Sequence, residues 1–501
     1  MRSSRRFGRS LPNVLAVLAL VGLGSIAAST ALHAANWSRF RGENGSGVSA
    51  DSAPLPSEWS ETKNLKWSVD LPGLGVSCPI VVGDRVYVTC WTGDGPEDLK
   101  RHLQCYDRAS GDLKWSKEVA PAAPDEPNRG MFQQTGYTAH TPVSDGERIY
   151  CFFGVTGVLA FDLDGNVVWG PVSVGTGFDN RGWGTASSPV LYKNLVIITA
   201  APESHSMIAL DKTDGHEVWK QEADGLQGLW GTPVVLTLED GKQELVLAVA
   251  GELWGINPDS GKLRWHAATG NGDSMCSSAI VADGIAYVVG ERGAQTIAIR
   301  GGGEGDVSES HRVWNSGEFT GRIGSPVIDQ GLLYWVANGE LNCVDAKTGE
   351  RVYKEALKAP AADPAVTPAA AQLPAQGDAG GQPGGAPPQA GDGGGGPGAG
   401  GPGGGGGPGG RGGRGGGRGG RGGGRGGMMS SDYASPIIAD GKLYFTRRNG
   451  DVYVIQAGRE FKQLAVNKFD AQGADFSSTP AVSDGQIFIR SSKKLYCVAA
   501  E

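Results

Sequence analysis

The sequence predicts an all-β fold: an eight-bladed β-propeller of four-stranded antiparallel blades, the last blade closed by the N-terminal strand. Three observations predict it. A unit of four short strands recurs, mostly every 44 to 47 residues, which is the period of a propeller blade. Nearly every unit opens on a Ser/Thr-Pro pair, and most reach a Trp in their last strand. The final unit stops at Glu501 without its Trp strand, and the missing strand stands near the other end as Leu65, Lys66, Trp67, Ser68 and Val69.

The innermost strands begin at Pro79, Pro142, Pro189, Pro233, Ala279, Pro326, Pro436 and Pro480, and the two long spacings hold insertions. Proline is tolerable there because an innermost strand has one unpaired edge. Small residues precede it (Ser77, Ser187, Gly231, Ser277, Gly324, Ala434, Ser478), as convergence on an axis requires. Asp145-Gly146, Asp283-Gly284, Asp440-Gly441 and Asp484-Gly485 supply the positive φ of tight hairpins. Gly111, Gly215, Gly261 and Gly349 do the same for the third turn. Trp115, Trp169, Trp219, Trp265 and Trp314 are expected to lie as apolar plates between neighbouring blades, each contributing roughly 3 kcal/mol. Closing the ring with the strand around Trp67 removes exposed sheet edges.

The flanks divide the chain further. Residues 1–35 read as an export signal: Arg2, Arg5, Arg6 and Arg9 precede an apolar run from Leu11 to Ala28, then small-residue cleavage sites. This places the protein in the periplasm or outside the cell; a retained N-terminal membrane anchor is the alternative. No Cys follows the apolar run, so a lipid anchor has no attachment point. Residues 36–63 form an N-terminal extension, and 64–354 hold the closing strand and blades one to six. An Ala/Pro/Gly/Arg-rich insert spans 355–430, and 431–501 hold blades seven and eight. The insert is too poor in apolar residues to fold and is expected to be disordered. Its Arg411, Arg414, Arg418, Arg421 and Arg425 suit an anionic polymer.

Formal charge is −8. Removing residues 1–35 takes away four Arg and no acid, giving −12; removing residues 359–430 takes away five Arg and three Asp, giving −14. So acidic a body argues against nucleic acid as a partner. Seven Cys in 501 residues do not make a disulfide framework. Cys105, Cys343 and Cys497 share one repeat position with Ala160, Ala209 and Ala298, a site for a small buried side chain. Cys78 and Cys90 face each other across a hairpin, where one local disulfide would fit.

The runs from Tyr106 to Trp115 and from Leu210 to Trp219 resemble the tryptophan-docking pattern of pyrroloquinoline-quinone (PQQ) repeat propellers. The opening from Asn36 to Gly45 resembles the start of secreted PQQ-like propellers of planctomycete type. The resemblance covers roughly residues 36–355 and 431–501. It implies either of two trades. One is the quinoprotein dehydrogenases, which hold PQQ and Ca²⁺ over the axis. The other is non-enzymatic scaffolds such as the BamB-like subunit of the outer-membrane assembly machine. The adjacent Cys pair of the alcohol dehydrogenases is absent here, as is the lipid-bearing Cys of the BamB-like subunit. The expectation is therefore a monomeric scaffold binding protein or peptide partners in the envelope. A PQQ-dependent or degenerate oxidoreductase using PQQ with Ca²⁺ is the alternative, and a carbohydrate-binding propeller the second.

Side chains entering the innermost strands should line the channel mouth: Thr138, His140, Trp183, Trp230, Met275, Cys276, Arg322, Tyr433 and Phe476. Trp183, Trp230 and Tyr433 would stack on a planar ligand, Arg322 would pair a carboxylate, and His140 would serve as a base. The plainer alternative is that the aromatics cap the channel and that His140 is structural. No catalytic triad, phosphate loop or zinc cluster is present. The oxygens at Asp179, Asn180 and Asn128, beside Arg181 and Arg129, are too few for Ca²⁺, so neither catalytic residue nor metal site is expected.

Overall fold

A computed structural model describes residues 36–359 and 432–500, apart from 52, 128–131, 133–135, 180, 271, 273, 292–293, 322 and 470–472. The expected export signal, nearly all of the insert with its five Arg, and Asn128, Arg129, Asn180 and Arg322 lie outside the described residues. No helix among the described residues is long and apolar enough to cross a membrane.

Tight turns set the local architecture. At Asp283-Gly284, Asp440-Gly441 and Asp484-Gly485 both residues have positive φ (50° and 72°, 49° and 65°, 51° and 69°), as a two-residue hairpin turn demands. Successive strands therefore fold back antiparallel, and the chain forms eight sheets of four antiparallel strands each. Blade one comprises Ile80–Val82, Arg85–Thr92, Lys100–Asp107 and Leu113–Val119. Blade four carries an added parallel strand, Gly305–Asp306, beside Leu263–Ala268. The outer strand of blade six, Arg351–Ala356, runs two residues past the expected boundary. Blade eight joins Ala481–Ser483, Gln486–Arg490 and Lys494–Ala499 to the N-terminal strand Leu65–Asp70, with Trp67 opposite Cys497.

A circuit of hydrogen bonds closes the ring at its axis. The backbone N–H of Cys78 donates to Thr141 Oγ1, Thr141 to Ser188 Oγ, Ser188 to Thr232 Oγ1, and Thr232 to Ser278 Oγ. Ser278 then donates to Ser325 Oγ, Ser325 to Ser435 Oγ, Ser435 to Thr479 Oγ1, and Thr479 back to the Sγ of Cys78. All eight lie between 2.9 and 3.2 Å. The recurring Ser/Thr-Pro pair thus has a purpose beyond size. Each hydroxyl, and once a thiol, satisfies the buried N–H of the preceding blade.

Tryptophans lock the blades at the rim. The indole N–H of Trp67, Trp115, Trp169, Trp219 and Trp314 donates to a carbonyl of the next blade: Arg108, Leu163, Lys212, Pro258 and Ala346 respectively. Each of the small residues Cys105, Ala160, Ala209, Ala298 and Cys497 stands directly across the ladder from one of these rings, which explains the shared repeat position. Trp265 departs from expectation. It faces Gly255, where a methyl group would come within 1.9 Å of the ring. Its N–H donates to Glu244 of its own blade at 2.8 Å. The missing side chain at Gly255 lets this ring turn inward. All seven cysteines are free thiols, so the Cys78–Cys90 disulfide is not formed.

The segment after residue 35 seals one end of the channel. Trp37 pairs with Val81 of blade one, and Ser38 O accepts from Ser144 N of blade two. Arg39 donates to Pro233 O and Asn44 to Val235 O, both in blade four. Arg41 donates to Pro326 O of blade six, and Gly47 and Ser49 bond Ile438 of blade seven. Phe40 points into the channel. Gly47 (φ 71°) packs so closely that a methyl group there would meet Arg41 Nη2 at 2.6 Å.

Candidate functional site

Among the described residues, the axial channel opens on the face where the chain enters the innermost strands. Phe40 forms part of its floor, the Ser/Thr circuit its wall, and Trp183, Trp230, Cys276, Ile323 and Tyr433 its upper rim. It holds about 1160 Å³ of space including the open mouth. The described lining carries no charged side chain.

Three loops fix the rim. The Trp183 and Trp230 rings lie 5.0 Å apart at 37°. The indole N–H of Trp230 donates to Gly184 O at 2.7 Å, and Asp179 caps the backbone N–H of Trp183 at 2.9 Å. Backbone bonds from Trp230 N to Met275 O and from Met275 N to Gly228 O tie blades four and five together. Arg448 lies 4.9 Å over the Tyr433 ring and pairs with Asp475.

The remaining mouth candidates go elsewhere. Met275 and Thr138 are fully buried. Phe476 is buried in a stack with Phe469 and Tyr496. His140 turns away from the channel into a second cavity between blades two and three. There the Arg101–Asp125 ion pair is almost wholly buried, with side-chain exposures of 2% and 6%. Arg101 also donates to Tyr137 O and Thr156 Oγ1. His140 Nε2 bonds Thr185 Oγ1 at 3.0 Å. Glu203, on a short helix Ala201–Ser204 that follows an inner strand of blade three, is 4% exposed. Sequence reasoning missed Arg101, Asp125 and Glu203. Their one signal was three charged residues standing in or beside apolar segments.

Burial shifts Glu203 and His140 in opposite directions. Desolvation pushes the Glu203 carboxyl up to about 7. Desolvation, aided by the charge of Arg101, pushes His140 down to about 3, so His140 is neutral at neutral pH. The folded pKa of Glu203 lies above its ordinary 4.5. Its contribution to stability is therefore fully present below about pH 4.5 and is lost as pH rises to about 7. Glu203→Gln, neutral at every pH, should gain about 2–3 kcal/mol over the parent at pH 8 and almost nothing at pH 4. Urea titrations at the two pH values check this, and an equal change at both would refute it.

PQQ is planar and carries carboxylates, and in quinoproteins it comes with Ca²⁺. The described channel lining does not fit that pair. Trp183 and Trp230 pack on each other rather than on either side of a gap. Arg448 is already neutralised by Asp475. No lining carboxylate is present to hold a cation.

A family model described as "Outer membrane protein assembly factor BamB" matches residues 37–177 and 134–355. No curated protein matches the sequence. Among solved structures, BamB from Moraxella catarrhalis superposes with a TM-score of 0.53 at 10% identity, covering 87% of this chain and 99% of that one. A quinohemoprotein alcohol dehydrogenase from Comamonas testosteroni superposes with a TM-score of 0.57 at 11% identity, covering 93% and 80%. At such identities these likenesses speak for the fold alone, which BamB and a quinohemoprotein alcohol dehydrogenase share.

Proposed function

This chain belongs to the family described as Outer membrane protein assembly factor BamB, and from that premise we propose that it is a non-catalytic binding scaffold of the cell envelope. It holds a protein or peptide partner against the aromatic mouth of its channel. The observation that carries this reading is the chemistry of the channel: sealed by residues 36–49 at one end, uncharged along its described wall, and rimmed by Trp183, Trp230 and Tyr433 at the other. Such a site rewards apolar and aromatic side chains of a docked segment. Among the described lining residues it holds no carboxylate, imidazole or charged side chain.

The test uses peptides selected by display on the protein without residues 1–35. Trp183→Ala or Trp230→Ala should weaken their binding by about tenfold or more. The second reading, a PQQ-dependent oxidoreductase, rests on the same Trp pair as a stacking surface. Titration with PQQ and Ca²⁺ separates the two. A quinone absorbance change, a raised melting temperature and dye-linked oxidation of an alcohol or sugar would end the scaffold reading. Glycan-array binding that depends on Trp183 would favour a carbohydrate ligand instead.

A further inference from the structure

We propose that the cavity between blades two and three is a separate binding site for a monovalent organic cation, an alkylammonium or guanidinium group such as a lysine or arginine side chain carries. Three observations converge on it.

The first is charge. Among the described lining residues, Asp125, Glu126, Asp179 and Glu203 stand against one cation, Arg101, with His140 neutral. Asp125 is committed to Arg101, and Asp179 to the backbone N–H groups of Arg181 and Trp183. Among the described lining residues the acids outnumber the cations.

The second is unsatisfied hydrogen bonding. Asp125 Oδ2 and Glu203 Oε2 are buried acceptors with no donor among the described residues. A buried carboxylate oxygen that has lost its hydration without gaining a donor is destabilising, so both oxygens call for a ligand that donates. A cationic N–H group is the donor that also offsets the charge.

The third is the wall. Phe132, Tyr137, Phe153 and Phe178 surround the acids, and aromatic faces attract organic cations. Phe178 is 44% exposed and stands beside Asp179, so the cavity opens outward past these two residues. A bare metal ion fits less well. Among the described residues, the one group of three His, Cys, Asp or Glu with converging ligand atoms is Asp211, Asp214 and His216, on an exposed turn of blade three. The acids of the cavity do not converge with His140 in that way.

The site is independent of the channel mouth, so its test is too. The protein without residues 1–35 is titrated by calorimetry with n-butylammonium and with propylguanidinium chloride, beside the neutral analogues pentanol and propylurea. Both cations, or one of them, should bind and the neutral analogues should not; the stronger of the two identifies the preferred side chain. Affinity should tighten by about tenfold between pH 6 and pH 8 as Glu203 ionises. The charged groups facing it are Arg101, Asp125, Glu126 and Asp179, and His140 beside it is held neutral by burial. Glu203→Gln should remove both the binding and its pH dependence. Phe178→Ala, at an exposed position that folding does not depend on, should weaken binding severalfold. Trp183→Ala should leave it intact. Binding of the neutral analogues as well as the cations, unchanged binding in Glu203→Gln, or uptake of Ca²⁺ or Na⁺ without the organic cations would each overturn the proposal.

Discussion

Replacing Trp67 with alanine is expected to cost about 3–5 kcal/mol of stability. The residue closes the circle. Its strand is the fourth strand of blade eight, its ring is 8% exposed, and its N–H donates across the seam to Arg108 O of blade one at 3.0 Å. Gly111 lies beneath the ring, so near that a methyl group there would meet the indole at 2.7 Å. Arg108 in turn donates to Ser483 O of blade eight, so the two blades hold each other. Removing the ring leaves a cavity at the one seam that joins sequence-distant ends. Trp67→Phe should cost less, since it keeps most of the apolar contact and forfeits chiefly the hydrogen bond, worth about 1 kcal/mol. Deleting the strand altogether bares the edge of Lys494–Ala499, and the protein should then aggregate. Urea unfolding followed by fluorescence measures the point mutants. A loss below about 1 kcal/mol for Trp67→Ala would mean that closure does not depend on this joint.

Asp125→Ala is expected to cost about 3–5 kcal/mol as well, for an electrostatic reason. The mutation leaves the Arg101 guanidinium inside the protein with Tyr137 O, the Tyr137 ring and Thr156 Oγ1 as its neutral partners among the described residues. The expense lies in leaving one charge unpaired rather than in losing a favourable pair. The double replacement Arg101→Met with Asp125→Leu should therefore recover most of the loss. A double-mutant cycle by urea unfolding reads this directly. If Asp125→Ala is nearly neutral, or the double variant is no better than the single, the pair is not buried as described.

The mouth was partly legible in the sequence. Trp183, Trp230, Cys276 and Tyr433 follow from their place just before an innermost strand, and the structure puts all four on the channel. His140 holds the same formal place, yet its ring turns between blades to meet Thr185 and Phe152. Position in the repeat fixes where a backbone lies. It does not fix which of two cavities a side chain enters, because that depends on the neighbouring blade. Trp265 gives the same lesson, since its direction is set by Gly255 across the ladder and by Glu244 two strands inward.

The sequence by itself determined the number of blades, the strand order within each, the turns and the closing strand. All of these rest on periodicity and on turn residues that act over a few neighbours in the chain. Only the tertiary structure decided that residues 36–49 form the floor of the channel, that the Ser/Thr residues join in one circuit, and that Arg101, Asp125, His140 and Glu203 share a cavity. Those contacts join groups brought together when the ring closes, across separations as large as the 401 residues between Cys78 and Thr479. No local pattern encodes a meeting of that kind, because the radius of the closed ring decides which side chains face one another.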